Sequence, residues 1–357
     1  MGTVASDPLQ PPMREAAAPR HSSVFEIAPQ EELLYSMSAD GKRRFMHPVV
    51  HKGQYWRIRR ILAWALMVLF FALPLIPVGG YPAVFMDIAS RRTHLFGSTF
   101  HPTENLVLAA FGFSVVVTVF FVGSTFGRVW CGFGCPQTVY LEFLYRPIEA
   151  FLEGGPANQK RLNAQPWNAR KLRVKAAKWG IFAVISLVMA TNFVAYFTSW
   201  SALLPGVLHH PAQWTGPLFA IAFVGAAILF DFGWFRDQMC AIACPYGRLQ
   251  NVLSDPDTLV VAYDSARGEP RTRAREQAPG LGACVDCGAC VAACPTGVDI
   301  RRGLQVECIG TAQCVDACDE VMLKLGRPTG LIKFTSERAQ KGGRQRLWRP
   351  RNLAYLG

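Results

Sequence analysis

The stretch Cys284-Val-Asp-Cys287-Gly-Ala-Cys290-Val-Ala-Ala-Cys294-Pro295 decides how this chain is read. Cysteines at intervals of three wrap three thiolates around one face of a cluster. The x₃-Cys-Pro ending carries a fourth to a neighbouring cluster, which is the bacterial ferredoxin spacing for cubane iron–sulfur centres. Structural zinc also uses paired Cys-x₂-Cys units, but has no use for that ending. Downstream, Cys308-x₅-Cys314-x₃-Cys318 repeats the frame with Thr311 where its second cysteine belongs. By the crossover rule the first 4Fe–4S centre takes Cys284, Cys287, Cys290 and Cys318. The second takes Cys294, Cys308 and Cys314, with Thr311 in the fourth place. A threonine hydroxyl stays protonated at neutral pH and is hard where iron–sulfur chemistry prefers thiolate. The second site is therefore expected to be impaired: a three-thiolate cluster, either 3Fe–4S or 4Fe–4S with one labile iron, is the preferred reading over an empty site.

Outward from this run, the rest of the 357 residues is organised by apolar segments. Ile61–Val78, Leu106–Thr125, Trp179–Leu208 and Pro211–Phe230 contain no Asp, Glu, Lys or Arg. Uncharged, mostly apolar runs of about 18 residues or more read as membrane-spanning helices, so four spans are expected. Some sixty mostly polar residues precede the first run, which excludes a secretory signal peptide, and the Pro- and Ala-rich first thirty read as a disordered tail. Lys and Arg set the orientation. They crowd residues 1–60, thin to Arg91 and Arg92 after the first span, crowd again in Arg170–Lys178, and vanish from 201–215. Both chain ends are then expected in the cytoplasm of a bacterium, with the protein multi-pass in the inner membrane. This distribution accounts for much of the net charge of +12; no nucleic-acid recognition motif accompanies it. The eleven cysteines fall on the reducing side, where regular spacing indicates metal ligands or redox thiols and not disulfides.

A second motif occurs twice. Trp130-Cys131-Gly-Phe-Gly-Cys135-Pro136 follows the second span, and Met239-Cys240-Ala-Ile-Ala-Cys244-Pro245 follows the fourth. Positions four apart share a helix face, and proline suits the first turn of a new helix. Cys135 and Cys244 are thereby placed at helix N-termini, where the dipole favours thiolate. Four convergent thiols suit Cu(I), zinc, an iron–sulfur cluster or a dithiol–disulfide couple; packing of helix ends is the plainer alternative. His47 and His51 read as a polar surface pair, and the adjacent His209 and His210 as a weak outer metal pair. Tyr196, Trp200 and Trp214 read as interfacial anchors. Neither common Gly-rich nucleotide loop is present.

Tyr263-Asp-Ser-Ala-Arg267-Gly-Glu269-Pro-Arg271 leads into the ferredoxin runs, and Arg91-Arg92-Thr-His-Leu-Phe-Gly97 follows the first span. With the two Cys-x₃-Cys-Pro motifs, this combination resembles the cytochrome c oxidase accessory protein family of the FixG/RdxA/CcoG type, from about residue 45 onward. The resemblance implies a role in assembling a cbb-type haem–copper oxidase, through reduction of Cu(II) to Cu(I) for delivery. Copper then joins the cofactors, Cys131, Cys135, Cys240 and Cys244 become the candidate catalytic residues, and oxidase-assembly and copper-transport factors become the partners beside the lipid bilayer; the electron donor stays open. A quinol-oxidising conduit to a respiratory reductase and a non-enzymatic copper-binding scaffold are the competing readings. Family members carry cysteine at the position of Thr311. They also continue into a further span and a periplasmic β-sandwich, so the chain is expected to be truncated relative to the family.

The expected architecture is an α-helical membrane protein with a C-terminal cytoplasmic bacterial-ferredoxin-type (α+β) domain. Its parts are a tail at 1–57, a four-span domain at 58–255, the ferredoxin unit at 256–332 and a basic tail at 333–357.

Overall fold

The computed structural model describes residues 45–350, apart from 89, 102, 104, 273–279, 306, 345, 347 and 348. The Pro- and Ala-rich leading segment and residues 351–357 lie outside the described residues.

Among the described residues, three helices are long and apolar enough to cross a membrane. They lie in α2 (Asn105–Phe126), α3 (Ala169–Thr198) and α4 (Thr215–Phe230), the last continuing through a π-turn to Phe235. α2 and α4 are apolar all round and expose Phe111, Phe113, Phe219 and Phe223. Side chains of that kind face outward where the surroundings are lipid.

The expected first span differs. The helix α1 is Gln54–Ala72, and it carries Arg57, Arg59 and Arg60 near its start. Leu73–Pro74 and the short strand pair Pro77–Val78 with Tyr81–Pro82 then take over. The apolar run Ile61–Val78 is not one helix, because its two prolines end the helix at Ala72. α1 still lies along the bundle. Its start is held at Asp316, whereas Phe70 O near its end accepts from Asn192 Nδ2 (2.9 Å) and Tyr196 Oη (2.7 Å) on α3.

The expected third span also breaks. α3 stops at Ser199, whose φ of 58° lies in the left-handed region, and a short helix Trp200–His209 follows. Tyr196 and Trp200 turn inward, Trp200 Nε1 donating to Asn192 Oδ1 at 3.2 Å, so both serve the bundle's own packing. Asn168 caps α3, its side chain accepting from Lys171 N.

At the far end of α1, strands β1 (Val84–Asp87), β2 (Arg92–Leu95) and β3 (Ser98–Phe100) form an antiparallel sheet. At the near end sits the ferredoxin unit. Its strands β4 (Val260–Tyr263) and β5 (Ile332–Thr335) pair antiparallel, Val260 opposite Thr335 and Tyr263 opposite Ile332. They cover the helix α5 (Gln313–Lys324) and the cysteine runs, with Val261, Ile300, Val315, Met322, Leu331 and Ile332 in the core. β5 straddles the expected boundary at 332/333, because pairing with β4 needs its whole length. The segment ahead of α1 belongs to this unit as well: Val49 N donates to Ala292 O at 2.9 Å, and His51 Nδ1 lies 2.7 Å from Glu320 Oε2.

Candidate metal centres

The ferredoxin unit contains two small cavities. Cys284, Cys287, Cys290 and Cys318 line the first, together with Tyr263 and Arg301. Cys294, Cys308, Cys314 and Thr311 line the second, with Thr296, Ile309 and Gly310. The frame explains the partition. Cys284 and Cys287 sit on the loop leading into the short helix Ala289–Ala293, Cys290 lies in that helix, and Cys294 leaves it ahead of Pro295. α5 then runs between the cavities, presenting Cys314 to one and Cys318, a helical turn later, to the other.

The first cavity offers four cysteines and the second offers three with Thr311, the donor set that the ferredoxin frame assigns to cubane iron–sulfur centres.

Burial pushes the Cys290 and Cys318 thiols up to about 12 and Cys308 to about 11, and raises Cys294 and Cys314 as well. Thiols desolvated this far ionise when a cation compensates the charge, which is what iron supplies. Arg301 brings positive charge to the first cavity and is itself held by Asp299 (Nε to Oδ1, 2.8 Å) and Asp286.

The second cavity faces the membrane domain. Arg128, just past the end of α2, donates through Nη1 to Cys308 O (3.2 Å) and through Nη2 to Gly247 O. A Cβ at Gly132 would come within 2.5 Å of Gly310 O, so the turn between Cys131 and Cys135 and the loop between Cys308 and Thr311 touch backbone to backbone. Gly310 itself has φ +68°, which a side chain would strain. Arg59 is fully buried and clamps the same turn, donating from Nε to Gly132 O (2.8 Å) and from Nη2 to Glu142 Oε2 (2.6 Å). Gln313 Nε2, beside Cys314, donates to the same Glu142 oxygen at 2.8 Å.

The two Cys-x₃-Cys-Pro motifs meet. Arg128, three residues before Cys131, binds Gly247, three residues after Cys244. Gln137, two after Cys135, donates from Nε2 to Arg236 O (3.0 Å), four before Cys240. The sulfurs are not paired along one helix face as their spacing suggests. Cys131 lies on the short helix Val129–Phe133, and Cys135 is the extended residue that opens Pro136–Tyr140. Cys240 lies in a π-turn, Met239–Ala243, and Cys244 opens Pro245–Leu253. The expected lowering of the Cys135 thiol does not occur. Burial raises it, against the backbone N–H groups of Gln137 and Thr138, because desolvation outweighs two hydrogen bonds from a short helix. Burial likewise pushes Cys131 up to about 12, with neighbouring Cys135 and Cys244 acting in the same direction and Arg128 against them.

The remaining candidates separate. His47 contacts Asn163, His51 pairs with Glu320, and His209 and His210 are exposed at the opposite end of the bundle. Sequence reasoning missed Arg128, Arg59 and Gln313 as site residues, because their partners lie far away along the chain.

Membrane-spanning helices joined to a two-centre ferredoxin unit define a membrane-bound iron–sulfur protein. A 4Fe-4S dicluster domain model matches residues 235–337, and a 4Fe-4S binding domain model matches 108–154. RdxA of Cereibacter sphaeroides is 40% identical over 286 residues, covering 76% of this chain and 59% of RdxA. The nitrogen fixation protein FixG of Rhizobium meliloti is 37% identical over 313 residues, covering 83% of this chain and 58% of FixG. YccM of Escherichia coli, a putative electron transport protein, is 27% identical over 154 residues, covering 41% of this chain and 37% of YccM. The chain belongs to the FixG/RdxA family and spans somewhat more than half the length of those first two relatives. No solved structure matches it.

Proposed function

We propose that this chain moves single electrons from the first centre, through the second, to the membrane-edge thiols Cys131, Cys135, Cys240 and Cys244, and that it acts there as a cupric reductase supporting copper delivery to a cbb-type oxidase. The observation that carries the reading is the backbone contact of Gly310 with Gly132, together with the reach of Arg128 to Cys308 O. These contacts set the second centre against the four thiols, with the first centre beyond it. Iron–sulfur clusters supply one-electron chemistry, and Cu(II) needs one electron to become Cu(I). Thiolate surroundings favour the reduced ion, and preferential binding of the product form shifts the equilibrium towards it. The family resemblance supports copper as the acceptor; the residues support a soft-metal or redox site.

The test is Cu(II) reduction by anaerobic, dithionite-reduced protein, after removal of excess reductant, followed with a Cu(I)-specific chelator. The double variant Cys131→Ser/Cys240→Ser should lose this activity while keeping the EPR signal of the first centre. Copper reduction at the wild-type rate in that variant would remove these thiols from the route.

A further inference from the structure

The two cysteine motifs at the membrane edge are held face to face by two reciprocal contacts, Arg128 to Gly247 and Gln137 to Arg236. Each contact joins a residue flanking one motif to a residue flanking the other. The pairing therefore fixes both turns at once and gathers four sulfurs from two separate stretches of chain. Every cysteine of one motif lies within electrostatic reach of at least one cysteine of the other.

All four are free thiols, so each sulfur is available as a ligand.

The 4Fe-4S binding domain model covers 108–154, a stretch with only Cys131 and Cys135 as thiol ligands. Two thiolates leave a four-iron cluster half-ligated, and Cys240 and Cys244 from the other motif supply the missing pair.

We infer that Cys131, Cys135, Cys240 and Cys244 together ligate a third iron–sulfur cluster, of the 4Fe–4S class, at the membrane edge. This inference specifies what the four thiols of the proposed electron route hold. The iron-to-protein ratio tests it independently of copper reduction.

The full chain, purified anaerobically from membranes, should bind about four more irons and four more sulfides than Cys131→Ser/Cys240→Ser. Mössbauer and EPR spectra of that variant should retain both ferredoxin signals and lose one 4Fe–4S component. Cys244→Ser provides a second reading that leaves the Cys131–Cys135 pair intact; it should lose or alter the same 4Fe–4S component and retain both ferredoxin signals. Equal iron in the wild type and the double variant overturns the inference. An unchanged set of components in Cys244→Ser overturns the joining of the two motifs in one cluster. Loss of iron with copper reduction intact keeps the cluster and overturns the copper route; loss of copper reduction with iron unchanged does the reverse.

Discussion

Thr311 stands where the ferredoxin frame places a thiolate, and the structure buries it in the wall of the second cavity beside Cys308 and Cys314. Cysteine differs from threonine there by one sulfur and one lost methyl, so Thr311→Cys should fit without moving the loop. It should raise bound iron by about one per chain and convert the second centre's EPR signal to that of a second 4Fe–4S cluster. Native protein that already shows two fully occupied 4Fe–4S centres in this unit would defeat the argument about Thr311. Cys287 is the exposed member of the first set, so Cys287→Ser can be made without disturbing the core. It should strongly reduce bound iron; an unchanged iron content and spectrum would strike Cys287 from the ligands. At this scale much of the site was legible, because ligand spacing is local: Cys284 to Cys318 can be read as a frame before any fold is known. Arg128 could not be found that way. Its partners, Cys308 and Gly247, lie 180 and 119 residues along the chain, and only folding brings them to it.

Elements were less legible than residues. The run Ile61–Val78 has the composition of a span, yet α1 stops at Ala72, since Pro74 and Pro77 break the ladder. Arginines counted as a basic cytoplasmic flank proved to include Arg59, buried at the turn between Cys131 and Cys135. The cluster Arg170–Lys178 is similarly committed in part. Lys178 reaches Glu149 and Glu153, Lys175 reaches Glu153, and Arg236 forms a 2.6 Å bridge to Glu149. These pairs tie the helix Arg146–Glu153 to α3 and to the approach to Cys240. Burial acts to raise the Glu149 carboxyl, but Arg236 and Lys178 outweigh it and hold it at about 2. Its folded-state pKa is thus below the ordinary carboxylate value of about 4.3. The stabilisation it gives is present above that value and is lost as pH falls towards 2. Removing one partner of a buried pair leaves the others uncompensated, at about 3–5 kcal/mol. Glu149→Gln should therefore lower the melting temperature in detergent at neutral pH, and the gap to wild type should close on acidification towards pH 2. A gap independent of pH would show that the carboxylate's charge is not what matters.

For the whole molecule, every cysteine lies at the end of the bundle where α1 begins and α2 ends, and the sheet β1–β3 lies at the other end. The Lys and Arg distribution gives this axis a direction: crowded flanks on the cysteine side, Arg91 and Arg92 alone in the sheet's segment, and none between 201 and 215. Free thiols at regular spacing are expected in a reducing compartment, so the charge pattern and the cysteines lead to one prediction of orientation. Three helices meet the length and composition of a span, and α1, beginning beside Asp316 and ending beside Asn192, runs with them. Reporter fusions at Gly97 and His210 should therefore give a periplasmic signal, and one at Asn168 a cytoplasmic signal. A cytoplasmic signal at Gly97 would take α1 out of the membrane and leave the three long helices as the only spans among the described residues. A cytoplasmic signal at His210 would reverse the hairpin of α3 and α4, carry the Cys240–Cys244 turn and the ferredoxin unit that follows it without a further span to the periplasmic side, and undo the argument that the cysteines share a reducing compartment.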